Sequence, residues 1–175
     1  MKDEIMKVSE TLFDKCLVIE TNVRKDERGT MELFYQDHSE LKQILGGFNL
    51  TEQRFYKMPK NAFFGIHRGP SKLISVIQGK GLDYIIDLRE DSKTFKQYRT
   101  IELSGDIPRL IYVPAGFGHA FLSLSENTIQ AFAMDLKSIE GKSSPINYQS
   151  PGINLELPVK DIIMADYDKN AESLN

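Results

Sequence analysis

The chain has 175 residues, of which 41% are hydrophobic and 27% charged, the composition of an ordinary globular domain. Its 22 basic and 25 acidic side chains give a formal net charge of −3, which does not favour a nucleic-acid partner. No apolar run approaches the roughly 18 residues of a membrane-spanning helix, and the charged N-terminus lacks the apolar core of a secretory signal. We therefore expect a single domain over residues 1–175, located in the cytoplasm.

One segment shows convincing helical periodicity, and it lies near residue 40. Asp37 or Ser39 would cap this helix, and the glycine pair at 46–47 would end it. Its predicted inner stripe consists of Leu41, Ile44 and Leu45.

Most of the remaining chain predicts short strands separated by turn residues. The predicted strands cover residues 17–19, 31–35, 48–56, 72–78, 82–87, 100–103, 110–113, 120–123 and 129–135. Gly79-Lys80-Gly81 favours a hairpin, and Pro114-Ala115-Gly116 favours a turn. Many short strands at such spacing indicate an all-β sandwich or barrel. The more polar tail after residue 158 is expected to pack as a short helix or an irregular flap.

The three histidines are the first candidates for chemistry. His38 stands among polar side chains in the predicted helix, which is typical of a solvated surface position. His67 and His119 each follow an apolar run, at a position where a barrel opens and binds ligands. One such histidine is more often a hydrogen-bonded core residue than a catalyst. Two such histidines, with Lys72 five residues after His67, leave a functional site as the alternative to two core histidines.

The neighbours of these histidines argue against a metal centre and against nucleophilic catalysis. Metal-binding barrels usually supply His-x-His with a carboxylate, whereas Arg68 follows His67 and Ala120 follows His119. The single cysteine, Cys16, lies in an apolar strand, and the sequence has no Gly-x-Ser-x-Gly elbow or phosphate-binding glycine loop. We expect no metal and no other cofactor.

Six segments together form a recognisable pattern between about residues 18 and 168. In chain order they are Asp26-Glu27-Arg28-Gly29, Phe64-Gly65-Ile66-His67, Lys72-Leu73-Ile74, the spaced set Asp83, Asp87, Arg89, Ser92, Thr94 and Phe95, the run from Val113 to Phe121, and Tyr167-Asp168. The most specific are Asp-Leu-Arg-x-x-Ser-x-Thr-Phe and Pro-x-Gly-Phe-x-His-x-Phe. With these motifs in this order, the chain resembles the dTDP-4-dehydrorhamnose 3,5-epimerases of nucleotide-sugar biosynthesis.

The resemblance implies a metal-free cupin, an all-β double-stranded β-helix jelly roll with short helices, usually a homodimer. It also implies a nucleotide-sugar substrate, a dTDP-4-keto-6-deoxyhexose inverted at C3, C5 or both, in deoxysugar and surface polysaccharide biosynthesis. A C–H bond beside a ketone loses its proton because the carbonyl accepts the charge as an enolate. Such an enzyme needs a base, a positive charge near the ketone oxygen, and an acid on the opposite face.

The resemblance also implies roles for individual residues. His67 would be the base, Asp168 would orient its imidazole, and Lys72 would stabilise the enolate. The substrate-binding residues implied are Arg28, Glu52, Arg54 and His119. Arg28 would contact the nucleotide diphosphate, either of its own subunit or across the dimer interface. Judged from the residues alone, the alternative for Asp168 is a solvated tail carboxylate, and the alternative for Arg28 is a turn arginine paired with Asp26 or Glu27.

This chain departs from the family pattern at the expected substrate site. The tyrosine that serves as the family's acid, thirteen residues beyond the second histidine, falls on Phe132. The arginine of Arg-Gly-Leu-His becomes Phe64, and the tryptophan before the late proline becomes Leu157. The Gln-x-Asn-x-Ser strand appears as Glu52, Arg54 and Tyr56.

Three functions therefore remain open from the sequence. The chain could be an epimerase of a different 4-keto sugar, with Tyr56 or water as the proton donor. It could act at one carbon only, or as a ketoisomerase that returns the proton to the same face. It could also bind a sugar nucleotide without turnover.

Overall fold

The computed structural model describes residues 6–21, 23–36, 39–139 and 143–175. His38 and Asp37, singled out in the sequence, lie outside the described residues. No helix in the described part of the chain is long and apolar enough to cross a membrane.

The described residues form thirteen strands and two short helices, with one 3-10 turn at Leu136–Ser138. The strands are β1 (Met6–Leu12), β2 (Cys16–Thr21), β3 (Val23–Asp26), β4 (Gly29–Glu32), β5 (Glu52–Met58), β6 (Phe63–Arg68), β7 (Ser71–Gln78), β8 (Lys80–Asp87), β9 (Tyr98–Ser104), β10 (Arg109–Val113), β11 (Phe117–Ser123), β12 (Thr128–Asp135) and β13 (Ser144–Ile146). The helices are α1 (Ser39–Ile44) and α2 (Asp166–Lys169). This confirms the all-β fold with short helices.

Two antiparallel sheets pack face to face. One has the order β1-β2-β10-β7-β12-β5 and the other β13-β6-β11-β8-β9, while β3 and β4 form a separate hairpin. Alternate residues of each strand point inward, and the two inner faces enclose an apolar core that includes Ile74, Ile85, Phe121 and Phe132. The polar residues of the candidate site interrupt this core between the sheets.

The outer face of each sheet is covered by a different part of the chain. The segment after β13 packs on the five-stranded sheet, where Tyr84, Ile86 and Leu155 are buried together. The segment before β5 packs on the six-stranded sheet, where Leu45 and Phe48 contact Tyr112 and its neighbours. The polar tail does contain a short helix, α2, which carries Asp168.

The Asp-Leu-Arg-x-x-Ser-x-Thr motif ties down the turn between β8 and β9. The buried carboxylate of Asp87 accepts hydrogen bonds from Arg89, Ser92 and Thr94, the two hydroxyls each at 2.6 Å. Burial alone would raise the pKa of Asp87, but these hydrogen bonds outweigh it and hold the pKa well below its usual range. The most specific motif of the sequence therefore has a structural role, which is to fix this turn.

Several predicted elements differ from the observed ones. Ile44, predicted to be buried, is 38% exposed, whereas Leu45, which follows the short helix α1, is buried in the core as predicted. The predicted strand at 48–56 begins late, as β5 at Glu52, and it presents exposed side chains on both faces. Strand β1 has no apolar alternation and was not predicted, since its residues are mostly exposed.

Candidate active site

His67 and His119 come from neighbouring strands of the five-stranded sheet. They are direct partners in the register of β6 and β11, so their side chains lie on the same, inward face of that sheet. His67 lies at the cavity wall and its side chain is 15% exposed, whereas His119 is almost completely buried. The two imidazoles therefore occupy different depths of one site.

Asp168 on α2 holds the imidazole of His67. Its Oδ1 lies 2.7 Å from His67 Nε2, and its Oδ2 accepts a hydrogen bond of 3.3 Å from the backbone N–H of Gly65. Because a carboxylate only accepts, Nε2 must carry the hydrogen and Nδ1 is left with the lone pair. This orientation suits a histidine that removes a proton from a substrate.

Two aromatic rings flank the imidazole of His67. The ring of Phe64 lies 4.7 Å from it and the ring of Tyr167 lies 5.6 Å from it, both tilted by about 30°. Tyr56 packs edge-on against Phe64, with ring centroids 5.5 Å apart. His67 thus faces a cavity whose walls are aromatic where the family pattern has an arginine.

The cavity has a volume of about 600 Å³, a size that accommodates a small ligand. It lies between β5, the start of β6, and the segment that leads into α2. Its lining includes Arg54, Tyr56, Phe64, His67, Tyr167 and Asp168.

A buried polar cluster lies beneath His67. His119 Nε2 is 2.8 Å from Asp83 Oδ2, and the side-chain amide of Gln130 donates a longer bond of 3.5 Å to the same oxygen. Three buried atoms of this cluster have no hydrogen-bond partner in the described structure: Asp83 Oδ1, His119 Nδ1 and Gln130 Oε1. Buried polar atoms without partners are costly and are often found at ligand sites.

Burial dominates the electrostatics of this cluster. It lowers the pKa of Lys72 from 10.5 to about 8, although the charge of Asp83 pulls the other way. Burial likewise raises the pKa of Asp83 and lowers the pKa of His119, in each case against the attraction between the two. Lys72 is therefore a buried cation that holds its charge at neutral pH and lies close enough to interact with Asp83 and His119.

Phe132 occupies the facing sheet, on β12. Its ring packs edge-on against His119, with centroids 5.9 Å apart. Arg54 is its direct partner on β5, so these two side chains lie on the same face of the sheet. The position that carries the family's tyrosine thus faces His119 but carries no hydroxyl.

The remaining predicted site residues lie elsewhere. Arg28, at the tip of the β3–β4 hairpin, is 84% exposed and is paired with Asp26. That hydrogen-bonded pairing raises the pKa of Arg28 and lowers the pKa of Asp26. Glu52 forms an ion pair with Arg54 and does not line the cavity. The substrate-binding roles of Arg28 and Glu52 stay predictions.

Gln130 was not predicted as a site residue, and Asp83 and Tyr167 were noted only as parts of motifs. Asp83 could have been found from the sequence, because a carboxylate within the apolar run of β8 indicates a buried polar group. Such a group needs partners inside the protein. Gln130 gives a weaker signal of the same kind in β12. No three His, Cys, Asp or Glu side chains of the described residues come together as metal ligands would.

Comparisons with known proteins identify one family over most of the chain. A sequence model of dTDP-4-dehydrorhamnose 3,5-epimerase matches residues 10–175. The chain is similar to the dTDP-4-dehydrorhamnose 3,5-epimerase of Methanothermobacter thermautotrophicus, at 29% identity over 94% of this chain and 92% of the relative. It is also similar to a dTDP-4-dehydro-6-deoxyglucose 3-epimerase of Streptomyces bikiniensis, at 26% identity over 87% of this chain and 81% of the relative.

A solved structure shares the fold over nearly the whole chain. The dTDP-6-deoxy-D-glucose-3,5-epimerase of Legionella pneumophila, in complex with dTDP-4-keto-L-rhamnose, matches with a TM-score of 0.87 at 26% identity. The match covers 96% of this chain and 92% of that chain. The predicted cupin-type jelly roll is thereby confirmed.

Proposed function

The chain belongs to the dTDP-4-dehydrorhamnose 3,5-epimerase family, and from this premise we propose that it epimerises a dTDP-linked 4-keto-6-deoxyhexose beside the ketone. The observation that carries the proposal is the His67–Asp168 pair, 2.7 Å apart, at the wall of a cavity of about 600 Å³. The relatives are named as epimerases, so neither a ketoisomerase nor a binding protein without turnover is favoured.

In the proposed reaction each residue of the site has a separate role. His67 Nδ1 removes the proton from the carbon beside the ketone, and Asp168 stabilises the imidazolium that results. Lys72 supplies positive charge to the developing enolate oxygen, where burial strengthens its effect. His119, fixed by Asp83, has a free Nδ1 that would face the sugar or the enolate. Arg54, on the cavity wall, would contact the substrate, and Arg28 and Glu52 would bind it from outside the cavity.

We also propose that residues 1–175 act as one domain in a homodimer. Of the described strands, β5 pairs only with β12 and leaves its other edge open, and Phe55 on this strand is 56% exposed. Met31 on the β3–β4 hairpin is 60% exposed. Exposed apolar side chains on an open strand edge are typical of an interface. The buried, unpaired Cys16 supports a cytoplasmic location, where thiols stay reduced.

Proton NMR in deuterated buffer with dTDP-4-keto-6-deoxyglucose tests the epimerase proposal. We expect deuterium to enter C3, C5 or both, and the position identifies the reacting carbons, because enolate formation exchanges the C–H proton for solvent. His67→Ala should abolish the exchange while the protein still melts cooperatively. Wild-type protein that binds the substrate without any exchange would contradict the proposal.

A further inference from the structure

The structure leaves the identity of the proton donor to be found. Inversion at a carbon requires an acid on the face opposite His67, and Phe132 has no proton to give. The chain has seven tyrosines, and all of them lie within the described residues. The position of every tyrosine hydroxyl relative to the cavity is therefore described.

Five tyrosines lie on the outer faces of the sheets. Tyr84, Tyr98 and Tyr148 pack beneath the C-terminal segment, and Tyr84 donates its hydroxyl hydrogen to the carbonyl of Glu156. The other two, Tyr35 and Tyr112, pack on the outside of the six-stranded sheet. Only Tyr56 and Tyr167 line the cavity.

Tyr167 lies on the same side as the base. It immediately precedes Asp168 on α2, and its ring lies against the His67 imidazole at 5.6 Å with an interplanar angle of 30°. A group stacked on the base approaches the substrate from the direction of the base. It is therefore poorly placed to protonate the opposite face.

Tyr56 approaches from the facing sheet. In the register of β5 and β12, Tyr56 pairs with Gln130 and Arg54 pairs with Phe132. Tyr56 is therefore the diagonal neighbour of Phe132 on the same face, about 7–8 Å away between backbones, within reach of a long side chain. Met58, two residues further along the same face, packs in the inner core with Phe132. Tyr56 is 46% exposed, so its hydroxyl can exchange protons with water.

We propose that Tyr56 is the acid that protonates the enolate, in place of the tyrosine that this chain lacks at Phe132. The inference rests on the proposed epimerase function. His67 takes the C–H proton, and the electron pair of that bond forms the enolate. The Tyr56 hydroxyl then gives its proton to the same carbon from the opposite face, and the ketone re-forms. The Tyr56 phenolate regains a proton and His67 loses one, both by exchange with water, so the reaction consumes no other reagent.

Deuterium exchange and inversion are separate readouts of the two steps. The test uses full-length protein, dTDP-4-keto-6-deoxyglucose in deuterated buffer, and NMR of both the recovered substrate and the epimer. In Tyr56→Phe, we expect inversion to fall by about 100-fold or more, the usual scale for loss of a general acid. His67 can still remove a proton and return a deuteron to the same face, so deuterium should continue to enter the unreacted substrate.

Two further variants complete the test. Tyr148→Phe, which removes a hydroxyl on the outer face, is the matched control and should invert at the wild-type rate. Tyr56→Phe combined with Phe132→Tyr should recover inversion, since it returns a phenol to the facing sheet, and recovery excludes a folding defect as the cause. The proposal is overturned if Tyr56→Phe inverts within threefold of wild type, or if Tyr167→Phe alone loses inversion. Absence of exchange in the wild-type protein would instead overturn the epimerase function on which the proposal rests.

Discussion

His67 and His119 are direct partners on adjacent antiparallel strands, yet each is held by a carboxylate of its own. Asp168, which holds His67, comes from α2, whereas Asp83, which holds His119, comes from the neighbouring strand β8. His67 reaches the cavity and His119 is buried behind it. One sheet thus carries a histidine that reaches the cavity beside another that is buried and fixed by a different carboxylate.

Asp168→Asn should lower kcat by about 100- to 10,000-fold and leave KM nearly unchanged, because the amide no longer fixes the His67 tautomer or balances the imidazolium charge. Steady-state kinetics of the variant and the wild-type protein would measure both parameters. Asp166→Asn, on the same helix but exposed and paired with Lys169, is the control and should stay near wild type. Equal kinetics for the two variants would show that Asp168 has no part in the reaction.

The pKa of Lys72, lowered by burial to about 8, predicts an alkaline limit to activity. The charged form stabilises the enolate, so kcat should fall as the pH rises through about 8. A pH profile of kcat between pH 6 and about 10 measures this. In Lys72→Met the residual activity should be small and should no longer fall over that range. A fall at the same pH in Lys72→Met would assign the alkaline limit to another group.

The same lysine should make stability depend on pH. The unfolded chain keeps this proton up to about pH 10.5, whereas the folded protein releases it near pH 8, so unfolding takes up a proton between these values. The free energy of unfolding should therefore rise with pH across this window, by up to about 3 kcal/mol for this group. Urea unfolding of wild type and Lys72→Met at both ends of the window isolates the contribution. An equal pH dependence of the free energy of unfolding in both proteins would contradict this contribution of Lys72.

Gly65→Ala should damage catalysis by displacing Asp168. A Cβ at position 65 would lie 2.9 Å from both Cγ and Oδ1 of Asp168, closer than unshifted atoms permit. We expect kcat to fall at least about tenfold, because a small misplacement of a catalytic group is costly. Gly69→Ala, whose Cβ would meet nothing closer than Lys72 Nζ at 3.7 Å, is the matched control. A Gly65→Ala enzyme as active as Gly69→Ala would show that the carboxylate adapts.

Asp87→Asn should destabilise the protein by about 3–5 kcal/mol, since it removes the buried charge that Arg89 and two hydroxyls surround. Chemical denaturation measures the loss, and Asp91→Asn at an exposed position should change stability by less than about 0.5 kcal/mol. Because the pKa of Asp87 is lowered, its contribution is present above pH 4 or so and is lost as the pH falls below that. A wild-type protein whose stability equals that of the variant at neutral pH would contradict this role.

Sequence alone was sufficient to predict those strands whose pattern of apolar residues reflects their burial. Continuous apolar runs such as that of β7 predict buried strands, and the observed strand at Ser71–Gln78 confirms the prediction within one residue. Strand β5 was misplaced because an edge strand with exposed side chains on both sides has no apolar alternation to read. The strand that carries the proposed acid was thus predicted only approximately, with a start four residues too early.

The site was only partly predictable for a different reason. His67 and Asp168 are 101 positions apart, and the sequence brings them together only through the resemblance to a family. The choice between Tyr56 and Tyr167 depends on which sheet each tyrosine faces, and this follows from strand register rather than from local pattern.

The long separation in sequence between His67 and Asp168 has a consequence for biosynthesis. At about 5–20 residues per second, the ribosome adds Asp168 roughly 5–20 s after His67. By then the strands that place His67 between the sheets, up to β12, have already been made. All the described strands of both sheets are therefore synthesised before α2 supplies the carboxylate that pairs with His67.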